Sequence, residues 1–178
     1  MARHLLIAAC TAKYEHLGNG DQRPELTKVV QAIVRLFTQT LKSYRRELEE
    51  ISENHPADKL RKSLDTWFAA PDRDPSDWVV LYYTGHGHVV GSDSLYLLTS
   101  DFRPHYYVGT AFSLRQLADI VLAERSETEA RQVRNMLVII DACFAGAGTV
   151  PLAADLAEIF RRAAGGMFYV LGAALPRQ

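Results

Sequence analysis

Short apolar runs recur along the chain, each without alternating polar positions. They are rich in Val, Ile, Leu or Tyr, which is typical of strands buried on both faces of a mostly parallel sheet. The clearest runs are residues 5–9, 78–83, 136–140 and 167–171. A further strand is predicted at 95–99, and a short strand that the pattern does not locate is expected within 45–58.

Helical patterns separate these runs, with apolar residues spaced three and four positions apart. They predict helices over 26–41 and 60–68. A third helix is predicted to begin at Ser113, with Gln116 as its capping-box partner. A fourth is predicted to follow Pro151, because proline is favoured in the first turn of a helix. Turn-rich loops are predicted at 18–24, 71–77 and 85–94.

This alternation of strands and helices predicts a three-layer α/β fold, and 178 residues suit a single domain over 1–178. Because the last apolar run ends so near residue 178, we expect the domain to be the large-subunit-like part of a longer chain. The 20 basic and 21 acidic residues argue against nucleic-acid binding through bulk charge. No apolar run reaches the roughly 18 residues that a membrane span needs. With only two cysteines, a reducing, cytoplasmic location is expected.

The candidate chemistry follows two of the predicted strands. In open α/β sheets the ligand site lies beyond the carboxyl ends of the strands. The run 78–83 leads to His86 between two glycines, and the run 136–140 leads to Cys143. A thiol beside an imidazole forms a nucleophile and its base. The N–H groups of Gly87 and Cys143 are the candidate oxyanion donors, whereas Cys10 is assigned to the core.

Other interpretations of these residues remain open. A zinc site would use His86, His88, His105 and Cys143, but the sequence offers no second tight pair of ligands. The glycine turn lacks the pattern of a phosphate-binding loop. A non-catalytic scaffold and a thiol hydrolase acting on small-molecule amides or esters are the two functional alternatives.

Two segments resemble the motifs of a known family. Residues 81–87 (Leu-Tyr-Tyr-Thr-Gly-His-Gly) and 138–146 (Val-Ile-Ile-Asp-Ala-Cys-Phe-Ala-Gly) resemble the His and Cys motifs of the caspase-like cysteine peptidases, which include caspases, metacaspases and paracaspases. His86 lies 57 residues before Cys143, which is compatible with caspases. The resemblance implies a caspase-like fold, with His86 as general base, Cys143 as nucleophile and Gly87 as an oxyanion donor.

The resemblance also implies protein or peptide substrates and no metal or organic cofactor in the chemistry, although some metacaspases need calcium for activation. The two motifs are most similar in form to those of bacterial relatives, in which such domains are commonly fused to sensor or effector modules and act in stress or defence signalling. No nucleic-acid or membrane partner is expected.

Asp141 departs from the animal caspases, which carry Gln two residues before the Cys. In metacaspases and paracaspases an Asp at this place selects Arg or Lys, because a buried carboxylate needs a cationic partner. The resemblance therefore implies cleavage after Arg or Lys, with Thr84 and Asp21 lining the same pocket and Asp101 as a further candidate acid. The alternative for Asp141 is a structural carboxylate held by backbone N–H groups.

A second departure lies after the cysteine. Metacaspases continue their Cys motif with His-Ser-Gly, whereas this chain has Phe144, Ala145 and Gly146. This difference weakens an assignment to metacaspases proper.

Overall fold

The described part of the chain forms a mixed sheet of seven strands. The computed structural model describes residues 2–90, 94–122, 133–145 and 167–173. The strands are β1 (His4–Cys10), β2 (Arg45–Glu47), β3 (Trp78–Val90), β4 (Ser94–Leu98), β5 (Ala111–Ser113), β6 (Asn135–Ala145) and β7 (Met167–Ala173). The helices are α1 (Glu25–Arg35), α2 (Ala57–Ala69), α3 (Tyr107–Thr110) and α4 (Leu114–Leu122), with a π-helical turn at Leu36–Thr40 and 3₁₀ turns at Asn19–Asp21 and Glu49–Ile51.

Five strands run parallel, in the order β2-β1-β3-β6-β7. β6 lies along one edge of β3, so β1 and β4 share the other edge. β1 pairs with β3 as far as Thr84, and β4 pairs antiparallel from Gly87 to Val90. β5 then extends β4. The mostly parallel sheet is thus confirmed, and the strand that the pattern could not locate is the three-residue β2.

The two faces of the sheet carry separate apolar clusters. Val79, Leu81 and Tyr83 pack on one face with side chains of α2 and α4. Val80 and Tyr82 pack on the opposite face with side chains of α1. This alternation is what a strand buried on both sides requires, and it confirms the predicted three layers.

The predicted helices are confirmed where the structure describes them. The capping box of α4 is reciprocal: the Gln116 N–H donates to Ser113 Oγ at 3.1 Å, and the Ser113 N–H donates to Gln116 Oε1 at 2.9 Å. The predicted helix over 26–41 is α1 followed by the π-helical turn. The helix predicted after Pro151 lies outside the described residues.

The predicted loop over 85–94 is wrong for residues 85–90, which belong to β3. Gly85 is needed within the strand because the ring of Tyr83 lies across it: a Cβ at position 85 would lie 2.7 Å from Tyr83 Oη. β6 likewise continues past Ile140 to Ala145. The candidate residues therefore lie within paired strands rather than in turns beyond them.

Candidate active site

The sheet register brings the two motifs together. In the parallel pairing of β3 with β6, His86 is the Cα partner of Cys143, and Thr84 is the partner of Asp141. Adjacent strands lie about 4.8 Å apart, so the backbones carrying the imidazole and the thiol are immediate neighbours. The side chain of Cys143 is outside the described part of the structure.

Tyr14 packs against His86 with both its ring and its hydroxyl. The His86 N–H donates to Tyr14 Oη at 2.8 Å, and Tyr14 Oη donates to the Thr11 carbonyl at 2.9 Å. The rings lie 4.9 Å apart at 32°. Burial raises the pKa of Tyr14, so its hydroxyl stays protonated at neutral pH and can keep both bonds.

The outer nitrogen of His86 contacts the backbone of Asp21. His86 Nε2 lies 2.7 Å from the Asp21 carbonyl oxygen. A carbonyl oxygen only accepts hydrogen bonds, so Nε2 carries the hydrogen and donates it. In the neutral ring this leaves Nδ1 as the nitrogen that can take up a proton. Asp21 thus contacts His86 through its main-chain carbonyl.

Two amide side chains anchor the loop that holds His86. Gln22 Oε1 accepts from the Tyr14 N–H at 2.9 Å, and Gln22 Nε2 donates to the Tyr14 carbonyl at 3.0 Å. Asn54 Oδ1 accepts from the N–H groups of Ala12 and Lys13, both at 2.8 Å. Sequence reasoning missed Tyr14, Gln22 and Asn54, because these contacts follow no motif. Asn54 lies 42 residues from Ala12 along the chain, and Gln22 bonds Tyr14 eight residues away within an irregular loop.

Asp141 is half-buried and lies two residues before Cys143, beside Thr84 of β3. Its Oδ2 accepts from the Tyr82 hydroxyl at 3.1 Å and from Thr84 Oγ1 at 3.4 Å. Burial and the neighbouring carboxylate raise the pKa of Tyr82, which keeps this hydroxyl a donor. Over the described ranges, no Lys or Arg forms an ion pair with Asp141, and no group donates to its Oδ1. The structure therefore brings Thr84 and Asp141 together, with no cationic side chain paired to the Asp141 carboxylate among the residues that it describes.

Gly87 follows His86 in the part of β3 that has a paired strand on both sides. It pairs with Leu97 of β4 on one side and with Phe144 of β6 on the other. Its N–H accordingly lies in the plane of the sheet between two paired strands.

Three further candidates are not part of the His86–Cys143 pair. Asp101 Oδ1 accepts from the Ala57 N–H at 3.0 Å and so supports the start of α2. His88 stacks on Tyr107, and His105 is exposed. Among the side chains that the structure describes, no group of three or more His, Cys, Asp or Glu is arranged to hold a metal ion.

Comparison with known families agrees with this geometry. The family model of the caspase domain, peptidase C14, matches residues 6–166 and covers both motifs. A search of curated proteins finds no match. In the described ranges, no helix is long and apolar enough to cross a membrane. The match extends over most of the chain and confirms the resemblance seen in residues 81–87 and 138–146, so this chain belongs to the caspase-domain family of cysteine peptidases.

Proposed function

We propose that the chain is a cysteine endopeptidase in which Cys143 is the nucleophile and His86 the general base. The observation that carries this proposal is the register of β3 and β6, in which these two residues are direct partners. A family can contain inactive members, so membership alone does not supply this function. The retained pair, next to each other in the sheet, is what argues for catalysis.

The hydrogen bond of His86 to Asp21 supports a proton path through the other ring nitrogen. With Nε2–H held by the Asp21 carbonyl, Nδ1 takes the thiol proton of Cys143. The thiolate attacks the substrate carbonyl carbon, and the imidazolium returns the proton to the leaving amine, which gives a thioester and the first product. Water then attacks the thioester with His86 again acting as base, which releases the second product and restores the thiol.

The N–H groups of Gly87 and Cys143 are the proposed donors to the oxyanion. One such donor contributes about 3 kcal/mol to the stability of the transition state. Because Gly87 is paired on both sides in the sheet, this role requires the ladder to open locally when the substrate binds. Substrate binding and completion of the catalytic site are therefore coupled in the proposal.

Asp141 is proposed to select a basic residue on the amino side of the scissile bond, called P1. Among the described residues, the hydrogen bonds that Asp141 accepts come from hydroxyl groups. Such a carboxylate gains most from a guanidinium, which forms two charge-assisted hydrogen bonds with it. Arg is preferred to Lys for this reason. Thr84 is proposed to line the same pocket, and the carboxylate of Asp21 remains a prediction for that pocket.

The proposed setting is a reducing bacterial cytoplasm, because a thiol nucleophile must stay reduced to act. We also propose a role in stress or defence signalling, with associated sensor or effector modules. The support is the resemblance of the two motifs to those of bacterial relatives. Metacaspase-like activation by calcium is not part of the proposal.

The second candidate function is a non-catalytic scaffold. The observation in its favour is that strand pairing continues without interruption past His86 and Cys143, as far as His88 and Ala145. A scaffold would keep this ladder closed at all times, whereas the peptidase must open it.

Cleavage of fluorogenic peptides with Arg, Lys or Asp at P1 separates these functions. We expect Arg to be preferred and Cys143→Ala to abolish turnover. Cys10→Ala is the matched control, since Cys10 lies in the core. Preferred cleavage after Asp would contradict the basic pocket. Folded protein with no turnover of any peptide would favour the scaffold, and turnover of small esters alone would favour a small-molecule hydrolase.

A further inference from the structure

An aromatic cluster lies on the same sheet face as the proposed catalytic pair. Alternate residues of a strand point to one face, so Thr84, His86 and His88 share the face that carries Tyr82. Two residues of a strand span about 6.6 Å, which makes His88 the next side chain after His86 along that face.

The cluster is built around Tyr107. The ring of His88 stacks on Tyr107 with centroids 5.2 Å apart and an angle of 9° between the planes. Tyr107 also contacts Phe102 at 5.7 Å and Tyr96 at 6.2 Å. Phe102 is buried, whereas His88, Tyr96 and Tyr107 remain half-buried. The stack is therefore supported from beneath and partly open to solvent.

Exposed apolar residues lie next to members of this stack along the chain. Tyr106 is 63% exposed and Val108 is 73% exposed, and these residues flank Tyr107 in sequence. Val90, two residues after His88, is also exposed. Large apolar side chains grouped in this way mark a surface that binds something apolar.

The position of the cluster relative to the proposed catalytic pair indicates which part of a peptide substrate would bind there. The paired residues Thr84 and Asp141 precede His86 and Cys143 along the two strands. His88 lies on the opposite side, two residues after His86. Because His86 must give its proton to the leaving amine, the leaving part of the peptide passes His86 on the side away from Asp141. The next side chains that it meets are His88 and Tyr107.

The geometry points to a subsite for the residue that follows the scissile bond, called P1′, formed by His88 and Tyr107 with Tyr96 beside them. It selects an aromatic or large aliphatic side chain, which stacks on the exposed part of the pair. This inference rests on the proposed peptidase function and adds a second requirement to its substrate: Arg or Lys before the bond and an apolar residue after it.

Internally quenched peptides with Arg at P1 and either Phe, Leu, Ala or Asp at P1′ test the subsite. We expect kcat/KM of the wild type to be about 10-fold higher for Phe than for Ala. Tyr107→Ala should remove most of this ratio while kcat/KM for the Ala peptide stays close to the wild-type value.

Tyr44→Ala is the matched control, because Tyr44 forms a similar ring pair with His4 near the amino end of β1. It should leave the Phe-to-Ala ratio unchanged. If Tyr107→Ala does not fold, His88→Ala and the wild-type profile decide the question. Two results overturn the subsite and leave the proposed function intact. One is cleavage after Arg with the same kcat/KM for every P1′ residue, and the other is a Phe-to-Ala ratio of kcat/KM that both His88→Ala and Tyr107→Ala retain. Cleavage of none of the peptides overturns both.

Discussion

Tyr14 and Asp21 constrain the imidazole of His86, the proposed general base, from two sides. Tyr14 bonds the backbone of His86 and packs against its ring, and the Asp21 carbonyl holds Nε2. Together they fix the orientation of the ring and the nitrogen that carries the hydrogen. A base held in this way loses little entropy when it reaches the transition state.

Tyr14→Phe should lower kcat more than it raises KM. The variant keeps the ring contact but leaves the His86 N–H without its partner and removes the bond to Thr11. We expect kcat to fall about 10-fold and the free energy of unfolding to fall by about 1–2 kcal/mol. Steady-state kinetics with an Arg peptide and urea unfolding measure the two effects.

Tyr44→Phe is the control for this change, since no hydrogen bond of the Tyr44 hydroxyl is seen within the described ranges. A Tyr14→Phe enzyme with wild-type kcat would show that the hydroxyl does not position His86.

Asp141→Asn should lose the preference for a basic P1 residue. The amide oxygen can still accept from Tyr82 and Thr84, so the fold keeps its hydrogen bonds while the negative charge is removed. We expect kcat/KM for an Arg peptide to fall about 100-fold, as for loss of one partner of a buried charge pair. Glu53→Gln, which alters a carboxylate that bonds Thr27 and Gln31, is the control. Unchanged cleavage after Arg would assign Asp141 a structural role.

At the scale of elements, local signals were predicted better than long-range ones. The capping box at Ser113 and Gln116 could be predicted because both partners lie within one helical turn. The length of β3 could not, because Gly85 and Gly87 favour turns when read alone. Their presence in a strand depends on Tyr83 and on pairing with β4, which are contacts that the local pattern does not contain.

Gly85→Ala tests this explanation of β3. The new Cβ would lie 2.7 Å from Tyr83 Oη and 3.1 Å from its ring carbons. Tyr83 is buried and its hydroxyl donates to the Leu98 carbonyl at 2.8 Å, so the ring has little room to move. We expect a loss of about 1–3 kcal/mol in the free energy of unfolding.

Gly20→Ala is the matched control, because a Cβ there meets nothing within 4 Å. Chemical denaturation of both variants gives the comparison. Equal stability of the two would mean that Tyr83 does not require a glycine at position 85.

At the scale of the whole molecule, the sequence predicted that the strands leading to His86 and Cys143 are neighbours. It did not predict the order of the other strands, the strand lengths or the antiparallel pairing of β4 and β5. Buried runs and the two motifs were enough to expect a caspase-like sheet with His86 and Cys143 on adjacent strands. The conformation of the loop 11–22, which contacts His86, was not predictable. Asn54 bonds it from 42 residues away, and the bond of Gln22 to Tyr14 within it follows no local motif.

His55 should make the fold less stable in mild acid. It is 5% exposed, and burial, with a smaller effect from Lys59, lowers its pKa from 6.5 to about 4. Between these values the unfolded chain binds a proton at His55 that the folded chain does not, so the free energy of unfolding decreases as the pH falls. At pH 5 the loss should be about 2 kcal/mol.

Urea unfolding between pH 7.5 and 5 measures this loss. His55→Gln should flatten the pH dependence, whereas His16→Gln, at an exposed position, should leave it as in the wild type. A steep dependence that persists in His55→Gln would assign the effect to other groups.

Alkylation of the two cysteines by a peptide chloromethyl ketone with Arg at P1 tests the catalytic pair most directly. Cys10 is an internal control, because it is buried and its pKa is raised to about 12 by burial and the charge of Glu53. Peptide mapping should find the adduct on Cys143 and not on Cys10, with labelling slowed in His86→Ala and slower with an Asp reagent. An unlabelled Cys143, or labelling that is equally fast without His86, would contradict the assignment of Cys143 and His86 as a catalytic pair.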